Sequence, residues 1–154
     1  LKITVYGQPT PQGSKKGFVH PKKHYVIIVD DDKGKKLKPW REAVKFAAIA
    51  ARDGGLPITG PVAVSMVFTF ARPAGHFGSG KNSGQVKASA PPRPHGRPDL
   101  SKLARSTEDA LTDARAYEDD ARIVEYIRLA KVYINEDSDA LDAPGVKIEI
   151  RELP

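Results

Sequence analysis

Two kinds of hydrophobic spacing alternate along this chain. Val62, Val64, Met66, Phe68 and Phe70 recur at every second residue, which predicts a strand over 61–71. Val146, Ile148 and Ile150 alternate with Lys147 and Glu149 and predict a closing strand. Residues 2–7 alternate loosely and are rich in β-branched side chains, so they read as a first strand, and the apolar run 25–29 as another. Residues 123–134 predict a long strand. Simple alternation puts Ile123, Glu125, Ile127, Leu129, Lys131 and Tyr133 on one face, with Val124, Tyr126, Arg128, Ala130, Val132 and Ile134 on the other, so neither face is purely apolar.

Helical spacing appears twice. Trp40, Val44, Ala47, Ala48 and Ala51 fall three or four apart and form one stripe of a helix over 39–52. Pro39 suits its first turn, and Gly54-Gly55 follows its end. Leu100, Leu103, Ala104, Thr107, Ala110 and Leu111 form the inward stripe of a second helix over 99–112, with Asp99 placed to cap it. Two helices among several hairpin-compatible strands predict an α+β fold, a small mixed sheet with the helices packed on it.

Between these elements lie three loops. Gly7 to Gly17 is rich in Gly and Pro and ends in Lys15 and Lys16. Asp30-Asp31-Asp32-Lys33-Gly34 reads as a hairpin tip; it lacks the spacing of a calcium loop. The longest irregular tract, 72–97, carries Arg72, Lys81, Lys87 and Arg93 without a carboxylate up to Gly96. That composition favours a flap facing nucleic acid over a plain surface insertion. Gly78-Ser79-Gly80-Lys81 lacks the glycine spacing and the following hydroxyl residue of a nucleotide loop.

Composition narrows the classes. The 154 residues fit one domain, 1–154. With 40% hydrophobic residues the chain is not wholly disordered, and without cysteine it has no disulfide framework, thiolate zinc site or cysteine nucleophile. No run approaches the ~20 apolar residues of a membrane span. The opening residues lack the shape of a secretory signal and read as a strand. The formal charge is +6, with the positive excess mostly before residue 99 and the carboxylates clustered after it. Nucleases need both kinds of group: cations to hold phosphates and carboxylates to hold a metal.

The candidate carboxylates flank the second helix, Asp99 at its start and Asp119-Asp120 beyond its end. By pattern alone Asp99 is equally a helix cap, and Asp119-Asp120 equally a surface turn. Converging on one ion would require the turn 114–120 to double back.

The order and spacing of these residues carry a resemblance. Arg97-Pro98-Asp99-Leu100-Ser101-Lys102-Leu103-Ala104-Arg105, then Asp109-Ala110-Leu111, then Asp119-Asp120-Ala121-Arg122-Ile123, resembles the RusA family of Holliday-junction resolvases, often encoded by phages and prophages. The Gly-Gln-Pro-x-Pro-x-Gly-Ser loop and the last strand are similar too, and 75–92 resembles an enlarged loop. The resemblance implies a Mg²⁺-dependent endodeoxyribonuclease, with Mn²⁺ as a substitute. It further implies a homodimer that resolves four-way DNA junctions by paired symmetric nicks, acting in DNA recombination and repair in a bacterial cytoplasm. It implies that Asp99 and Asp120 are essential aspartates and metal ligands, that Asp119 beside Asp120 is a further catalytic carboxylate and metal ligand, and that Arg105 takes the place of an essential Lys or Arg. DNA contacts are then expected from Lys15, Lys16, Lys102, Arg105, Lys81, Lys87 and Arg93. One departure stands out: Ser101 occupies the place of the family's second aspartate. A hydroxyl is a neutral and poorer Mg²⁺ ligand, so this predicts weakened cleavage or, alternatively, branched-DNA binding without cleavage. Glu108, Asp109 and Asp119 are the nearby carboxylates, but Glu108 and Asp109 lie about two helical turns from Ser101, too far to replace it directly.

Overall fold

The computed structural model describes residues 1–13, 15–19, 26–30 and 35–154, with the backbone alone at 15–19 and 26–30. The chain folds as an α+β domain. Strands β1 (Lys2–Tyr6), β4 (Val62–Phe70), β5 (Ile123–Tyr133) and β6 (Gly145–Glu152) form one mixed sheet in the order β1-β6-β4-β5. β4 and β5 run parallel, and the other neighbours are antiparallel. β2 (Lys15–Val19) and β3 (Val26–Asp30) pair separately as an antiparallel ribbon. The predicted loop 7–17 therefore ends early, because residues 15–17 join that ribbon. Tyr25 and the Asp31–Gly34 part of the predicted hairpin tip lie outside the described residues.

Helices α1 (Leu37–Arg52) and α2 (Leu100–Asp113) pack on one face of the sheet, and the core lies between the layers. Their buried stripes are those the spacing predicts: Trp40, Val44 and Ala48 on α1, Leu103, Ala104, Thr107, Ala110 and Leu111 on α2. Ala51 falls beyond the stripe and is exposed. α1 begins two residues before Pro39, which still sits in the first turn where its missing N–H costs nothing. Asp53, not glycine, adopts the left-handed conformation that closes α1, and Gly54 repeats it.

β4 is the central strand and is buried on both faces. Val62, Val64, Met66 and Phe68 pack under the helices, while Ala63, Val67 and Thr69 are covered on the reverse side. β6 keeps clean alternation, with Val146, Ile148 and Ile150 inward. At its start a Cβ on Gly145 would stand 2.2 Å from the Val5 carbonyl oxygen, so only glycine lets β1 and β6 approach there.

β5 departs from simple alternation. Its register against β4 skips Val124 and Ile127, giving two irregularities in an edge strand. Each inserts an extra residue and resets the alternation. Tyr126 then lies opposite Val64 and Leu129 opposite Met66, so both point toward the helices. Ile127 is pushed out and stands about half exposed, as does Val124. The predicted faces hold for Ile123, Leu129, Lys131 and Tyr133 but reverse for Glu125, Tyr126 and Ile127.

Candidate nucleic-acid interface and carboxylate site

The N-terminal loop is fastened along α2 by backbone groups. The Gln12 N–H donates to the Lys102 carbonyl (2.8 Å), and the buried Ser106 hydroxyl donates to the Thr10 carbonyl (2.6 Å). Two clefts open on either side of this seam. One, of about 630 Å³, is lined by the 8–13 loop with Lys36, Arg97, Asp99 and Lys102. The other, of about 980 Å³, is lined by Ser101, Lys102, Arg105, Glu108, Asp109 and Tyr126. Gln12, Gly13 and Lys102 line both clefts.

Asp99 occupies the N-cap position of α2, but its side chain makes no capping hydrogen bond. The carboxylate turns instead to Lys102, whose Nζ lies 3.5 Å away, and remains 58% exposed. Of the two readings open in the sequence, the cap is therefore not the one its side chain takes. Behind it, Lys131 of β5 donates to the carbonyls of Gly96 (2.6 Å) and Pro98 (2.9 Å). Burial holds the Lys131 ammonium below the usual lysine range, and the negative charge of Asp99 opposes that shift.

Asp120 belongs to a second group. Residues 114–119 do double back: the buried Tyr117 hydroxyl donates to the Glu108 carbonyl (3.3 Å), and Tyr117 bridges to Ile58. Asp120 then opens a short 3₁₀ turn that packs against α2. Asp119 caps that turn by accepting the Ala121 N–H at 2.9 Å. The Tyr126 hydroxyl donates to the Glu108 carboxylate. Glu108 is raised above the usual carboxylate range, first by burial and then by Asp120 and Asp109, while Tyr126 and Arg105 pull it down. Tyr126 and Tyr117 are both raised as well, chiefly by burial, with Glu108 and Asp120 adding to it.

The structure thus gathers Ser101, Lys102, Arg105, Glu108 and Tyr126 along one cleft. Seven residues is nearly two full turns, so Glu108 shares a helix face with Ser101 although it stands farther along the axis. Among the described residues, no group of three or more His, Cys, Asp or Glu side chains stands close enough to hold a metal ion. The metal set Asp99, Asp119 and Asp120 is therefore not assembled as a trio.

The long loop differs from a free flap at its base. Arg72, with only 7% of its side chain exposed, pairs with Glu136, donates to the Pro91 carbonyl (3.0 Å), and lies 4.0 Å from the Tyr133 ring centroid. It is a structural arginine. Lys87 donates to the Gly75 carbonyl (2.9 Å), and Lys81 and Arg93 are exposed. Lys15 and Lys16 lie on β2, with side chains outside the described residues. Sequence reasoning did not single out Lys131 or Arg72 for these roles. A lysine inside a strand and an arginine at the start of a loop carry no such signal until β5 is set beside that loop.

No helix among the described residues is long and apolar enough to cross a membrane. A curated relative, the uncharacterized protein YqaN of Bacillus subtilis (strain 168), is 29% identical over 153 residues, spanning 99% of this chain and 96% of that protein. The family model described as endodeoxyribonuclease RusA matches residues 7–151. With a match that covers nearly the whole chain, joined to the mixed sheet and paired helices, this protein belongs to the RusA family.

Proposed function

We propose that this single-domain chain is a structure-selective endodeoxyribonuclease that grips four-way DNA junctions and nicks them in pairs as a homodimer. Two symmetric nicks call for two equivalent sites, which a twofold dimer supplies. The observation that carries the reading is the exposed Asp99 carboxylate at the head of α2, in a cleft that also holds Lys36, Arg97 and Lys102. Cations of this kind neutralise backbone phosphates, and Arg105 in the adjoining cleft suits the phosphate to be cut. Lys15, Lys16, Lys81, Lys87 and Arg93 are the further DNA contacts of this reading. Asp99, Asp120 and Asp119 are its reacting carboxylates.

Carboxylate oxygens are the right donors for Mg²⁺ or Mn²⁺. Ser101 brings a neutral hydroxyl, and among the described residues no trio of ligands is assembled. Among the described residues, those present do not make a complete metal site. This same observation favours a second reading, a protein of the same fold that binds branched DNA without cutting it.

One assay separates the two. Junction and duplex of equal length are offered with and without Mg²⁺, to the chain as it is and to Ser101→Asp. The nuclease reading expects Mg²⁺-dependent paired nicks in the junction and a higher rate for Ser101→Asp. Junction-selective, salt-sensitive binding without nicking by either protein would establish the second reading. Equal affinity for junction and duplex would defeat both.

A further inference from the structure

Asp99 is not bonded to the backbone end of its own helix. Its side chain makes no cap bond, and its contact with Lys102 is exposed and long. Where the carboxylate stands is therefore decided by the backbone that delivers it, the turn 96–98. That turn has an anchor on the sheet. Lys131 projects from β5 on the helix-facing side and spans to the carbonyls of Gly96 and Pro98, one on each side of Arg97. Lys131 and Tyr133 share that face, two residues apart. Tyr133 packs beneath Arg72 at the root of the 72–97 loop, while Lys131 fastens its exit. Together they line a cavity with Phe70, His76, Pro94 and Pro98. The edge strand thus clamps both ends of the loop.

We infer that Lys131 is the positioning residue for Asp99: its ammonium fixes the Gly96–Pro98 turn and so sets the place of the carboxylate at the head of α2. This rests on the reading of Asp99 as a reacting group. The ammonium suits the task as a compact charge with three donors, two of which meet carbonyls at short range. A planar guanidinium at the same position is longer and presents its donors in a fixed fork. No contact of Lys131 with DNA is needed, so its loss lowers turnover and leaves junction affinity in place.

The test uses the absence of cysteine. The Asp99 carbonyl accepts the first helical bond of α2, from the Leu103 N–H at 3.1 Å, so exchange at Leu103 reports how firmly Asp99 is placed. In Lys131→Met that exchange is expected to rise roughly tenfold, as loss of about one hydrogen bond's worth of local stability gives. Exchange along the β4–β5 ladder stays unchanged. Lys131→Cys supplies the only thiol in the chain. Alkylation with 2-bromoethylamine restores an ammonium at that site, and 2-bromoethanol gives a neutral control. Recovery of Leu103 protection and of nicking kcat, at constant KM, by the amine alone supports the inference. Unchanged Leu103 protection in Lys131→Met, or equal recovery with the alcohol, overturns it. Nicking is read in the Ser101→Asp background beside the chain with Ser101. If Asp99→Asn nicks at full rate, it is the role of Asp99 that fails, while Leu103 protection still reports on the anchor. If Asp99→Asn abolishes nicking and Lys131→Met leaves kcat untouched, positioning by Lys131 is refuted.

Discussion

The two ends of β5 are both rich in carboxylates and handle them in opposite ways. Beyond its C-terminal end, Glu136 pairs with Arg72, Asp137 and Asp139 with Arg128, and Asp139 also meets Lys147. Arg72 and Arg128 hold Glu136 and Asp137 below the usual carboxylate range. Near its N-terminal end, Glu108 is held above that range, first by burial and then by Asp120 and Asp109, although Asp109 itself lies 3.4 Å from Arg41. Among the described residues, Asp119 and Asp120 form no ion pair. Charge compensated by arginine builds structure. Charge left without a counterion is available to something the protein binds.

The comparison breaks most sharply at the carboxylates themselves. Asp120→Asn is expected to lower junction nicking by on the order of 100-fold or more while leaving junction affinity within a factor of about two. Asp137→Asn, at the compensated end, is expected to leave nicking unchanged. Single-turnover rates for both variants, measured beside gel-shift affinities, check this. Equal losses would erase the distinction between the two ends.

A smaller effect is expected from the compensated side. Arg72→Met removes a buried guanidinium that ties Glu136, Pro91 and Tyr133 together. The loss should be about 1–3 kcal/mol of stability, read as a lower urea midpoint. The pairs more exposed than this one contribute less.

The smallest effects concern pH, and their signs are opposite. Glu136 and Asp137 have folded pKa values below their unfolded ones. Their stabilisation is present above the unfolded value and disappears as pH falls through the depressed one. Glu108 has a raised folded pKa, so its favourable contribution exists in acid and is lost as pH rises from the ordinary carboxylate value through the raised one. In metal-free protein, Glu136→Gln should therefore flatten the acid limb of the stability profile and lower stability at neutral pH. Glu108→Gln should remove a decline on the neutral side and raise stability there. Urea midpoints from pH 3 to 8 (roughly the window in which carboxylates titrate) decide between the two signs.

Much of this architecture was legible in spacing alone. The period-two run of β4, the alternation of β6 and the stripes of α1 and α2 report burial on one face of a regular element, which is a local property. The family pattern around Asp99, Arg105 and Asp120 was legible because residue type and spacing carry it without coordinates. The faces of Tyr126 and Ile127 were not, because the irregularities that reset β5 exist only in its pairing with β4. Glu108 looked too far from Ser101 along the axis. It nevertheless lines the same cleft, because seven residues return to the same helix face.

By itself the sequence determined a cysteine-free α+β chain with a basic first part, its carboxylates in order, and a serine where the family carries an aspartate. Tertiary structure decided which of those charges pair. It enclosed Arg72, turned Asp99 away from its cap, brought Asp120 back toward Glu108, and set Lys131 beneath the turn that carries Asp99. The physical reason is common to three of the four, Asp99 meeting a lysine only three residues on. Burial and pairing of a charge depend on neighbours distant in sequence, and only the closed sheet with its helices brings those neighbours together.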